Sequence, residues 1–195
     1  MDSTETLHTD RLIGRRLRAA DFDDLARMHQ NPRVMATLAP AGAPNGGLLS
    51  DDETRRFLRR NLEHWDRHGY GLWMFRDRAD GRFVGRGGLK HTSVDGKDEV
   101  ELAYAVMSDY WGRGLATEMA EAILAAGFGH LGLAEVVCFT LTTNRASRRV
   151  MEKAGFRYER DFVHTGLPHV FYRLTAADWR DAHASGPHAA HRTRR

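Results

Sequence analysis

Apolar residues recur along this chain with two different periods, and the switches between them outline its elements. Residues 11–18, RLIGRRLR, read as a first strand. Asp21 then caps a predicted helix, DFDDLARMHQ, which Asn31-Pro32 ends. The following stretch, LAPAGAPNGGLL, is rich in small residues and reads as a flexible loop. Ser50 and Glu53 have the spacing of a capping box. Behind them Phe57, Leu58, Leu62 and Trp65 recur at helical intervals to roughly Gly69.

The period then shortens. GLWMFRD meets GRFVGRGGLKH across Asp80-Gly81, and DEVELAYAVM follows Asp95-Gly96; both dipeptides favour tight hairpin turns. After these strands come a helix over 115–130, the strand EVVCFTL, a helix over 144–154, and the strands FRYERDFV and HVFYRLT. Antiparallel strands in the first half and βαβ-like alternation in the second predict an α/β (α+β) fold, a mixed and largely antiparallel central sheet flanked by helices.

Length and composition narrow the picture without redirecting it. A chain of 195 residues with 42% hydrophobic and 28% charged residues fits one soluble domain able to bury a core. That domain is expected over residues 7–180, with 181–195 as a disordered tail. The net charge of +3 lies in the tail, because AHASGPHAAHRTRR at 182–195 carries three arginines and no acid. No nucleic-acid partner is therefore expected from the charge. No apolar run approaches a membrane span, and the polar start MDSTETLHTDR does not read as a secretory signal. The single cysteine, Cys138, cannot form an intramolecular disulfide and suits a reducing cytoplasm, the expected location.

The stretch SDYWGRGLATEMAEA at 108–122 puts two glycines, Gly112 and Gly114, just ahead of an apolar-periodic helix. Such bunching commonly lets backbone approach a phosphate. A P-loop is excluded because no Gly-Lys-Ser/Thr run follows, and a dinucleotide loop because Met119 stands near where a third glycine would be needed. What remains is a short loop whose following helix offers its first unpaired N–H groups and its dipole to a pyrophosphate. A plain strand-to-helix turn also needs glycine, so this segment alone leaves both readings open.

In its wider context the chain resembles the GNAT superfamily of acyl-CoA-dependent N-acyltransferases, and within it the branch of ribosomal-protein N-terminal acetyltransferases. The resemblance rests on LHTDRLIGRRLRAADFDDL, VELAYAV, YWGRGLATEM and TNRASRRVMEKAGF in that order, spanning about residues 7–178. The family's pyrophosphate signature is a Gln or Arg, two residues, Gly, one residue, then Gly or Ala. Gly114 and Ala116 fit it, while Trp111 replaces the polar first member. The resemblance implies acetyl-CoA as co-substrate, no metal, and cofactor contacts from Gly112, Arg113, Gly114, Leu115, Ala116 and Thr117.

The implied reaction is attack of an amine on a thioester. At pH 7 a lysine amine costs roughly 4 to 5 kcal/mol to neutralise and an α-amine about 1, so a base matters most for lysine. By resemblance Glu101, in a run where Ala103 departs from the usual glycine, is the candidate base. A solvent-facing partner of Lys90 is the plainer reading of it, and Glu99 shares its side-chain parity. The thioester carbonyl is expected to meet a backbone N–H near Val106–Met107, where this strand splays from EVVCFTL in the family. The leaving thiolate is assigned to Ser147, one turn into a helix capped by Asn144; the helix offers no tyrosine. Arg113, Arg145, Arg148 and Lys153 are cofactor-phosphate candidates or solvated charges.

Cys138 reads as a buried small hydrophobe, and His64 with His68 as amphipathic surface rather than a zinc site. The acceptor is an amine of a peptide, such as a protein N-terminus, or of a small molecule such as an aminoglycoside, polyamine or amino-acid derivative. A non-catalytic acyl-CoA-binding protein is the third reading. Loop 38–49 and the turn 164–169 are expected to wall the acceptor site, with Asp51, Asp52 and Glu53 near enough to add acid to it. A homodimer is compatible with this fold.

Overall fold

The computed structural model of the chain describes residues 5–38 and 43–184. Two short strands, β1 (Thr6–His8) and β2 (Leu12–Arg16), form an opening hairpin. The strand expected over residues 11–18 is β2, and β1 precedes it without having been predicted. Asp21 does precede α1 (Phe22–His29), but its carboxylate accepts from the Arg18 N–H at 2.7 Å rather than capping the helix.

Asn31-Pro32 ends α1 and at once begins α2 (Pro32–Leu38), a helix the sequence pattern did not predict. Asn31 Oδ1 accepts from the N–H groups of Arg33 and Val34, and Pro32 needs no partner at the first helical position. The helix α3 (Asp51–His68) carries the predicted capping box, closed by Ser50 and Glu53, and Gly69 ends it in the left-handed conformation at φ 73°. Its buried face, with Leu58 and Trp65, lies against the sheet.

Next come β3 (Leu72–Asp77), β4 (Phe83–Val94) and β5 (Lys97–Val106), joined as hairpins. Asp95 and Gly96 form the tight β4–β5 turn, both at positive φ (51° and 78°). The Asp80-Gly81 connection is wider than a two-residue turn: Asp77 N–H bonds the Arg82 carbonyl. The glycines of β4 allow close approach. A Cβ on Gly88 would sit 2.0 Å from the Gly71 carbonyl oxygen.

The second half holds α4 (Leu115–Ala125), which continues as a π turn to His130, then β6 (Glu135–Leu141) and α5 (Arg145–Lys153). It closes with the hairpin β7 (Arg157–His164) and β8 (Leu167–Thr175), and α6 (Ala176–Ala184). Thr175 caps α6, which takes residues 181–184 out of the expected tail; residues 185–195 lie outside the described part.

All eight strands form one sheet in the order β1-β2-β3-β4-β5-β6-β8-β7. Among the described residues only β5 and β6 pair in parallel, so the expected mixed and largely antiparallel sheet is what forms. Trp73, Phe75, Leu89, Leu102, Met119 and Ile123 are essentially fully buried in its core. Among the described residues no helix is long and apolar enough to cross a membrane.

Candidate active site

The sheet comes apart where its one parallel pair meets. The β4–β5 ladder runs unbroken from Gly85↔Val106 to Val94↔Lys97, whereas β5 and β6 share a single bridge, Glu101↔Val137. Beyond it the two strands diverge, and a cavity of about 910 Å³ opens through the gap. Antiparallel partners alternate between bonded and non-bonded pairs. Met107 donates its N–H to the Val84 carbonyl at 2.8 Å, so the register turns the backbone of Val106 and Tyr104 the other way, toward the gap. This corrects half of the Val106–Met107 expectation: the Met107 N–H is occupied, and only Val106 can present one to a ligand.

Gly112 and Gly114 both take φ 76°, which bends the chain from β5 into α4. No side chain caps α4; the first intrahelical bond runs from Glu118 N–H to the Gly114 carbonyl. The N–H groups of Leu115, Ala116 and Thr117 therefore point out of the helix start, on the cavity wall with Gly112 and Gly114. Trp111, where the family signature has a polar residue, donates its indole N–H to the Val106 carbonyl at 2.8 Å and ties the loop to the strand end.

A brace holds this loop from the far side. Glu118 accepts from Thr9 Oγ1 (2.5 Å), Arg11 N (2.9 Å) and Arg11 Nε (2.7 Å), and Arg11 also donates to the Arg113 carbonyl at 2.9 Å. Arg113 itself departs from expectation. Its guanidinium lies over the Tyr110 ring, 5.2 Å from the centroid, and it is not on the cavity wall. Arg145 and Arg148 are absent from that wall too, while Lys153 lines it together with Arg149, which the sequence reading had not singled out.

Asn144 caps α5 as expected, accepting from Ser147 N–H at 3.0 Å, and its amide donates to the Thr37 carbonyl of α2 at 3.2 Å. Ser147 Oγ lies 2.9 Å from Tyr104 Oη. A tyrosine hydroxyl therefore stands beside Ser147, from β5 rather than from this helix, on a residue the sequence reading did not assign. Burial pushes the Tyr104 hydroxyl well above its usual range, keeping it protonated as a donor.

On the opposite face of β5, Glu101 is 6% exposed and its Oε2 lies 3.1 Å from Lys90 Nζ. Burial raises its pKa, opposed first by Lys90 and then by Arg86 and His169. Glu101 Oε2 has no well-directed hydrogen bond. Glu99 is separated from it by its partner: Arg173 grips Glu99 through two bonds of 2.9 and 3.0 Å and also holds Glu135 and Glu159. Glu99 is not on the cavity wall, and Glu101 is.

The remaining candidates fall out simply. Cys138 is buried on the cavity wall, and burial raises its thiol well above the usual value, which keeps it a weak nucleophile. His64 uses both ring nitrogens, Nδ1 toward the Tyr70 carbonyl at 2.9 Å and Nε2 from the His91 N–H at 3.0 Å. Among the described residues no group of side chains is placed to hold a metal ion. The 164–169 turn does wall the cavity through His164, Thr165, Leu167 and His169. Of loop 38–49, Leu38 does so, and residues 39–42 lie outside the described part.

Comparison with known proteins places this fold in a family. A protein-family model described as "Acetyltransferase (GNAT) domain" matches residues 11–157, and the chain belongs to that family. Within it the protein is an acetyl-CoA-dependent N-acetyltransferase. It is 28% identical over 176 residues to "Uncharacterized protein YkkB" of Bacillus subtilis, covering 88% of this chain and 96% of that one. A structure described as "Putative GnaT-family acetyltransferase from Bordetella pertussis" superposes with a TM-score of 0.75 at 28% identity, covering 87% and 99% of the two chains. The structure of RimL, a ribosomal L7/L12 α-N-protein acetyltransferase in complex with coenzyme A, has a TM-score of 0.71 at 16% identity, with 88% and 98% covered; that likeness is one of fold.

Proposed function

We propose that this protein moves an acetyl group from acetyl-CoA to a primary amine by direct transfer in a ternary complex. The observation that carries this reading is the cavity through the β5–β6 gap, with the Glu101 carboxylate on one side of the sheet and the Ser147–Tyr104 hydroxyl pair on the other. The pyrophosphate would rest on the N–H groups of Leu115, Ala116 and Thr117, and the pantetheine arm would enter the gap. Asn144 positions Ser147 through the cap it makes.

In the transfer step the amine nitrogen attacks the thioester carbon while Glu101, directly or through a water, takes its proton. The Val106 N–H meets the oxyanion of the tetrahedral intermediate. As the carbon–sulfur bond breaks, the coenzyme A thiolate takes a proton or a hydrogen bond from Ser147, supported by Tyr104. A pKa raised by burial makes Glu101 a better proton acceptor than an ordinary carboxylate.

For the acceptor, a protein N-terminal α-amine is favoured by the named substrate of the RimL neighbour and by the lower cost of neutralising such an amine. A small amine is the alternative. A cytoplasmic location belongs to the same reading and rests on the lone, buried Cys138. Thiol release and intact mass spectrometry test the mechanism together. Release of coenzyme A only when an amine is present, with no acetylated enzyme, is expected. An acetyl-enzyme formed without acceptor would replace direct transfer with a two-step route.

A further inference from the structure

On the α3 face of the gap the cavity wall is charged in one sense. Arg60 of α3 and Arg86 and Lys90 of β4 supply that charge, His64 and His91 lie beside them, and Glu101 is the single acid there among the described residues. The acids expected to offset this charge do not reach the cavity. Asp51 accepts from Gln30 Nε2 at 2.8 Å, Asp52 pairs with Arg55 at 2.9 Å, and Glu53 is turned back into the Ser50 capping box. Glu101 itself lies against Lys90, so that pair balances.

Arg86 is left over. Its guanidinium lies above the Phe57 ring, 4.7 Å from the centroid, and its Nε is enclosed with no hydrogen-bond partner. No hydrogen bond joins it to Glu101, although each feels the other's charge. Enclosure lowers its pKa to about 10, so it is still charged at neutral pH. An enclosed donor with no acceptor is costly unless something that binds supplies one. The cofactor's phosphates are poorly placed to do so. Arg86 shares the sheet face of Lys90 and Glu101, their partners across the ladder being Ala105, Glu101 and Lys90, whereas the Tyr104–Ser147 side belongs to α4 and α5.

Resting on the acetyl-transfer reading above, we infer that the acceptor amine also carries a carboxylate, and that Arg86 binds it, with Arg60 adding charge at the cavity mouth. A guanidinium fork fits a carboxylate through two parallel N–H donors. Bound in this way, the carboxylate satisfies Arg86 and leaves the amine on the Glu101 side. A polycationic acceptor would meet Arg60, Arg86 and Lys90 with like charge. Two sources supply this chemistry: a free amino acid, or an acidic residue at the start of a peptide.

The test uses matched acceptors that differ only in charge: β-alanine against β-alaninamide, and peptides beginning with Asp against the same peptides beginning with Asn. A charge-assisted pair contributes about 1.5–3 kcal/mol, which corresponds to roughly 10- to 100-fold in kcat/KM. The wild-type enzyme should prefer the carboxylate by that margin in one arm, and the arm that responds identifies the source. In Arg86→Met the preference should collapse toward parity, and Arg86→Lys should keep part of it. A wild-type preference below about twofold in both arms overturns the inference, and this needs no variant to fold. An equal loss on both members of a pair in Arg86→Met also overturns it, because Arg86 would then act only through Glu101. Acetyl-CoA titration of the same samples separates the levels: failure of the wild type to bind acetyl-CoA removes the transfer reading itself.

Discussion

Tyr104 and Ser147, 43 residues apart in sequence, bring their hydroxyl oxygens within 2.9 Å of each other across the β5–α5 junction. Tyr104 also donates to the Ser147 carbonyl at 3.1 Å, so the phenol fixes both the helix turn and the serine hydroxyl. If this pair meets the departing thiolate, Tyr104→Phe and Ser147→Ala should each lower kcat by roughly 10- to 100-fold, as loss of a donor to developing charge does. The double variant should lose little more than the worse single one, because the two groups act as a unit. Full additivity, measured in steady-state assays, would separate them.

The ion pair between Lys90 and Glu101 sets a pH prediction. Glu101 acts as base only when ionised, and burial holds its pKa above the ordinary carboxylate value against the opposing charge of Lys90. The acid limb of kcat/KM should therefore lie above the usual carboxylate range. Lys90→Met removes the largest opposing influence, so the limb should move to higher pH. A limb that stays in place, or moves down, would assign it to another group.

The loop brace predicts a binding effect without a chemical one. Arg11→Ala removes the donors to Glu118 and to the Arg113 carbonyl, loosening the start of α4. These contacts are substantially exposed, so a loss of about 1 kcal/mol, or roughly fivefold in acetyl-CoA affinity, is expected. The value of kcat at saturating cofactor should change little. Calorimetric titration checks the first part and saturation kinetics the second.

Buried His29 makes stability depend on pH. Its ring bonds Thr54 Oγ1 at 3.0 Å, and burial, then the charge of Arg86, lower its pKa from 6.5 to about 4. Between those values the unfolded chain takes up a proton that the native state refuses, so stability falls as pH falls. The loss reaches about 3 kcal/mol below pH 4. In His29→Gln this contribution is gone. Urea unfolding should show the stability gap between wild type and variant shrinking from pH 7 to pH 4, and a constant gap would contradict it.

Features set by neighbours in the chain were readable in the sequence. Asp95-Gly96 marked a turn that needs two positive φ values, Ser50 with Glu53 marked the start of α3, and Asn144 marked the start of α5. Two helices were missed although their signals were present. Asn31-Pro32 reads as a stop, yet the same pair is a cap and a first helical residue, and Thr175 with Asp178 begins α6. What depends on register could not be read. Whether Val106 or Met107 turns its N–H to the gap is decided by pairing with β4, and Glu99 differs from Glu101 only through Arg173. Arg86, lodged in a glycine-rich strand, became noticeable only once Phe57 and the cavity surrounded it.

The most direct test of the central claim is single-turnover thiol release by Glu101→Gln with acetyl-CoA and a saturating amine acceptor. The neutral, isosteric amide cannot take the amine proton. The rate should fall by about 10²- to 10⁴-fold, the range for loss of a general base, while acetyl-CoA affinity stays within about twofold. An unchanged rate with intact cofactor binding would contradict the assignment of Glu101 as the base of this site.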